Sequence, residues 1–131
     1  MTFLLDNERE LVRHALGCWD GFGRRPIEGY RNHYVATKGT EDDLRWQSIA
    51  ARGLATAHRF HLDESGRSTI YYVTREGARL AGLSEAAIVR ACGTREEQAK
   101  QRAKYQRDRE RRAERYWRNV RMAALVIGGA R

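Results

Sequence analysis

From Thr94 to Ile127 the chain contains neither glycine nor proline, and this breaker-free stretch, rich in Arg, Glu, Gln and Ala, predicts one long helix. Thr94 and Glu97 form a capping box at its start, and Gly128 is the first residue to interrupt it. The remaining positions, 1–93, must supply the core. Charge divides at the same place. Residues 1–93 hold 13 Arg or Lys against 12 Asp or Glu, and residues 94–131 hold 12 against 5. The net charge of +8 therefore lies almost wholly on the helix, which favours acidic partners.

On a helical wheel, Lys100, Lys104, Arg107, Arg111, Arg115 and Arg118 fall in one stripe. A second stripe, about 115° away at 100° per residue, runs through Ala99, Ala103, Gln106, Glu110, Ala113, Trp117, Val120 and Ala124. It is apolar only in its second half. There Tyr116, Trp117, Val120 and Ala124 make a packing or oligomerisation seam that the body or a second copy must cover. The expected pairs Glu96 with Lys100, Asp108 with Arg112 and Glu114 with Arg118 leave a surplus of cations. Of the 25 basic residues 22 are Arg, whose guanidinium forks onto phosphate.

The body reads as mixed helix and strand. A first helix starts at Asp6 or Asn7, either of which can cap it, with Leu11, Val12, Ala15 and Leu16 on one face. Four glycines and the only proline make residues 17–31 an irregular loop, followed by a short strand over 32–36. Thr40 and Asp43 suggest a capping box for a helix over 41–52 that buries Trp46, Ile49 and Ala50, and Gly53 ends it. Residues 55–62 and 67–74 bracket Asp63-Glu64-Ser65-Gly66 as a β-hairpin. Thr74 and Ser84 each cap a further short helix, to Leu80 and to Cys92. The expected core is Leu11, Leu16, Trp46, Ile49, Leu54, Ile70 and Leu80.

Gly53-Leu54 at a helix end, a hairpin, and then Tyr71-Tyr72-Val73-Thr74-Arg75-Glu76-Gly77-Ala78-Arg79-Leu80 resemble the winged-helix fold of many bacterial repressors, over residues 41–82. The resemblance implies an α+β, winged-helix-like body with a β-hairpin wing at residues 1–93; the basic C-terminal helix at 94–131 is read from its own composition and is no part of the resemblance. The resemblance also implies that Arg45 and Arg52, with Gln47 and Ser48, point outward from a helix that meets nucleic acid. Two features depart from that pattern. The helix begins Glu41-Asp42-Asp43, which repels phosphates, and the loop from Gly17 to Arg31 takes the place of the helix expected before it. The segment Tyr30-Arg31-Asn32-His33-Tyr34-Val35 is similar to that of small phage and prophage proteins, over residues 6–82, which implies an accessory protein of that setting but no chemistry.

No nucleophile with a base, carboxylate pair or cofactor fingerprint stands at diagnostic spacing, so neither an enzyme nor a cofactor is expected. His58 and His61 are spaced to fall on opposite faces of a strand, which disfavours a metal. Gly21-Phe22-Gly23-Arg24-Arg25 lacks the flanking strand and helix of a phosphate-cradling loop. Asn32 and His33 read as buried hydrogen-bonding residues at a strand edge. Cys18 and Cys92 are 74 positions apart, with no framework of disulfides or zinc, which fits a reducing compartment. The longest apolar run, Met122 to Ile127, is far below the roughly 20 residues of a membrane span, so a cytoplasmic protein without membrane contact is expected. The sequence thus points first to nucleic acid, bound through the helical stripe. The alternative is a protein-binding module, such as a phage-encoded inhibitor that meets an acidic or nucleic-acid-binding host protein.

Overall fold

The structure, a computed structural model, describes residues 2–19, 28–60 and 64–129. They form two compact units, Met1–Thr94 and Arg95–Arg131. The first unit runs α1 (Asp6–Ala15), β1 (Tyr34–Thr37), α2 (Glu41–Ala51), β2 (Ala55–Arg59), β3 (Ser68–Val73), α3 (Arg75–Leu80) and α4 (Glu85–Cys92). The second is the single helix α5 (Arg95–Gly129). No helix among the described residues is long and apolar enough to cross a membrane.

Local chemistry accounts for the helix starts. Thr40, Thr74 and Ser84 accept the amides of Asp43, Gly77 and Ala87. The first helix departs from expectation: its cap is Leu5, and neither Asp6 nor Asn7 fills that role. Glu8 compensates, its carboxylate accepting the Leu5 amide at 2.9 Å, so the glutamate half of a capping box works without the hydroxyl half.

The three strands form an antiparallel sheet ordered β1-β3-β2. The short strand expected over 32–36 runs instead over Tyr34–Thr37, because Asn32 pairs with β3 through its side chain. Its carboxamide oxygen accepts the Val73 amide at 2.7 Å and its nitrogen donates to the Val73 carbonyl at 2.9 Å. An asparagine side chain carries the same donor and acceptor as a peptide group, so it continues the ladder by one rung. His33, expected to be buried, is exposed and is tied in by its backbone amide to the Ala15 carbonyl.

One face of the sheet packs on the helices. Ala36, Ala55, Tyr71 and Val73 meet Val12, Ala15 and Leu16 of the α1 end, Trp46 and Ile49 of α2, Leu54, and Ala78, Ala87 and Ile88 from α3 and α4. Of the expected core, Leu16, Trp46, Ile49 and Leu54 are fully buried, while Leu11 and Leu80 are half-buried against it. Ile70 is not a core residue. Strand alternation turns Tyr71 and Val73 inward, and Ile70 sits between Val35 and His58 on the opposite face.

At the centre Trp46 stacks on Tyr71, centroids 5.4 Å apart and planes at 17°, and Tyr34 is tilted at 35° against the same indole at 5.4 Å. Both phenols reach the first turn of α2. Tyr71 donates to Asp43 at 2.7 Å and Tyr34 to Asp42 at 2.6 Å. Asp43, almost fully buried, also accepts the Gly39 amide at 3.1 Å and the Gln47 side chain at 2.8 Å. Burial by itself would raise its pKa. The hydrogen bonds from Tyr71, Gly39 and Gln47 and the charge of Lys38 outweigh it, leaving the carboxyl below its ordinary 3.8. The same bonds act on the phenols: the hydrogen bond to Asp42, then burial, pushes Tyr34 up to about 12, and burial with the Asp43 bond raises Tyr71.

A second joint explains the glycines of the hairpin motif. Thr74 donates its hydroxyl to the Gly53 carbonyl at 3.0 Å and its amide to the Leu54 carbonyl at 3.1 Å. A Cβ on Gly77 would stand 2.2 Å from that Leu54 carbonyl, so only glycine lets α3 sit this close. Gly77→Ala should therefore cost roughly 1–3 kcal/mol through overpacking, read as a lower urea midpoint. A second expectation concerns pH. Asp43 has a lowered folded pKa, so its contribution to stability is complete above the unfolded carboxylate value and is lost as pH falls through the folded one. Urea titrations from about pH 6 to about pH 2 should show Asp43→Asn with a lower plateau and a shallower acid decline than wild type.

Candidate nucleic-acid interface

A cation is available to a phosphate only if the fold has not already used it. On α5, Lys100 pairs with Glu96 at 3.5 Å. Lys104, Arg107, Arg111, Arg115 and Arg118 are exposed and, among the described residues, make no side-chain hydrogen bond or ion pair. The expected pairs Asp108 with Arg112 and Glu114 with Arg118 are not formed, although Gln106 donates to Glu110 at 3.4 Å. The unbroken helix keeps the five unpaired cations along one face, as their spacing requires.

The seam residues lie on the same helix. On α5 taken by itself Tyr116, Trp117, Val120 and Ala124 are exposed, and the Tyr116 and Trp117 rings meet edge to face at 5.3 Å. Beyond them Met122, Leu125, Val126 and Ile127 are exposed as well.

On the first unit the two expected contacts are already engaged. Arg45 is paired with Glu41 and lies 3.7 Å from Asp42. Arg52 does not point outward. It forms an ion pair with the buried Glu8, donates to the Phe3 carbonyl at 2.6 Å and to the Ser48 carbonyl at 3.1 Å, and so ties the N-terminal segment to the end of α2. Sequence reasoning missed this because the two partners lie 44 positions apart. The acids of the α2 first turn also differ from expectation. Asp43 is buried and Asp42 holds Tyr34, so neither presents a free carboxylate face. The outward side of α2 is Leu44, Gln47, Ser48 and Ala51, uncharged except at its start, where Glu41 is exposed and paired with Arg45.

Among the described residues no cluster of three or more His, Cys, Asp or Glu is disposed to hold a metal. His58 stacks edge to face with Tyr72 at 5.3 Å and shares a hydrogen bond with Thr56. His61 and the Gly21–Arg25 segment lie outside the described residues. Cys18 packs against the core, and burial pushes the Cys92 thiol up, away from a reactive thiolate. No protein-family model, curated protein or solved structure matches the chain.

Removing Arg52 would leave Glu8 charged and buried without its partner. Arg52→Ala should cost roughly 2–3 kcal/mol, less than a fully buried pair because the guanidinium is partly exposed, while leaving any binding to nucleic acid at its wild-type salt dependence. Chemical denaturation beside a salt titration checks both halves.

Proposed function

We propose that the protein is a nucleic-acid-binding accessory or regulatory protein whose principal phosphate contacts are made by α5. The observation that carries this reading is the face formed by Lys104, Arg107, Arg111, Arg115 and Arg118, five exposed cations with no partner of their own. A rod-like polyanion can meet them together. The order helix, strand, helix and hairpin, with β3 central in the sheet, supports a winged-helix-like body. Only Lys38, Gly39 and Thr40 separate β1 from α2, so the first helix of a helix-turn-helix pair has no counterpart there. The phage or prophage setting implied by the segment around Asn32 belongs to the same proposal, although Asn32 itself serves the sheet.

A second reading, a protein-binding module, is favoured by one feature. Past Glu41, which is paired with Arg45, the exposed side of α2 is uncharged and carries Leu44, 59% exposed, at its middle. That surface suits a protein contact better than a phosphate one.

The test is electrostatic. Replacing Arg107, Arg111, Arg115 and Arg118 by Gln keeps helix propensity and should flatten the slope of log affinity against log salt by up to about 3.6 for duplex DNA. Absence of binding at ~50 mM salt, where phosphate contacts are strongest, would reject nucleic acid in favour of the protein partner.

A further inference from the structure

The cations of the first unit sort sharply. Arg9, Arg13, Arg31 and Arg90 donate to carbonyls of other segments, and Arg45, Arg52 and Arg79 are paired with carboxylates. Arg75 is engaged too. Among the described residues, that leaves Lys38, Arg59 and Arg67 with neither a side-chain hydrogen bond nor an ion pair, and all three are exposed.

They are far apart in sequence and together in the fold. Arg59 stands opposite Thr69 at the end of β2, and Lys38, just past β1, donates its backbone amide to the carbonyl of Arg67, just before β3. Strand alternation places Arg59 on the face of Tyr71, and Arg67 and Lys38 follow in the same alternation as Tyr71 and Ala36. Lys38 lies close enough to Asp43 for its charge to help hold that carboxylate ionised, which agrees with its placement on the α2 side. Glu64 in the hairpin turn is exposed and pairs with none of the three. Among the described residues, a unit of nearly balanced charge thus carries its uncommitted positive charge at one end of the sheet.

We infer that Lys38, Arg59 and Arg67 form a second phosphate-contact site, for the backbone of a nucleic acid, at the hairpin end of the sheet. The cations stand on three different strands or their extensions, a spread of about 10 Å across the sheet. They do not converge on one point. That spacing suits successive phosphates of an extended polyanion rather than a single small anion. This site, not Arg45 or Arg52, is then what the first unit contributes to binding.

The inference rests on the nucleic-acid reading, and the experiment separates the two. Full-length wild type, the variant K38Q/R59Q/R67Q and a control R45Q/R79Q, which removes cations already paired, are titrated with a short DNA duplex between about 50 and 200 mM salt. The triple variant should flatten the salt slope by up to about 2.7 and the control should leave it unchanged. All three should keep wild-type circular dichroism. If the triple variant does not fold, the single variants Lys38→Gln, Arg59→Gln and Arg67→Gln replace it, each expected to flatten the slope by about 0.9. A wild-type slope in the triple or single variants overturns the site and leaves α5 standing as the contact. Wild-type protein that binds no duplex at all overturns both.

Discussion

The carboxylate of Asp43 holds the first unit together. It accepts from the turn before α2 through Gly39, from α2 itself through Gln47, and from the middle of β3 through Tyr71. A buried charge is costly unless its lone pairs are filled, and here three donors fill them. The geometry is correspondingly narrow. With Tyr71 fixed by its hydroxyl, its ring presents a flat surface on which Trp46 stacks, and Tyr34, held by Asp42, packs tilted against the same indole. Aromatic contact and hydrogen bond thus fix each other's position, and α2 can seat on the sheet in one rotation only.

Much of this fold was legible because its signals are local. Thr40, Thr74 and Ser84 announce helices within four residues of themselves, and the glycine-free stretch after Thr94 predicts α5 without reference to anything else. What escaped notice is long-range. Glu8 and Arg52 find each other across 44 positions, and Asn32 reaches Val73 across 41. Neither leaves a spacing that a periodicity can detect. Ile70 shows a different limit: in Ser68–Val73 both alternating sets contain large apolar residues, so composition does not say which set faces inward until the partners of β3 are known.

The candidate interface was partly legible for the same reason. A stripe on one helix is a local property, so the spacing of the α5 cations already defines their face. For the first unit, a count of charges misleads. Among the described residues, Arg9, Arg13, Arg31, Arg52 and Arg90 act as tethers between segments, donating to carbonyls such as those of Leu80 and Ala81. Arg52 is the clearest case, since a position that looks like an outward contact on α2 is a strut to the N-terminal segment. The available charge is what remains after the fold has taken its share.

The joint at Thr74 bears on the hairpin in another way. By bonding Gly53 and Leu54 on one side and seating Gly77 on the other, it clamps the base of β2 and β3 without help from their far end. Past the clamp Tyr71 still anchors β3 in the core and β1 pairs with it as far as Ser68, so only additions after Arg59 on β2 and before Ser68 on β3 leave the body untouched. Two residues added there to each strand would preserve which side chains face the α2 side and lengthen the hairpin by about 7 Å, whereas one added to a single strand would reverse the register beyond it. The hairpin is therefore an adjustable arm, whose reach can be reset in steps of a strand repeat while the body that holds it stays the same.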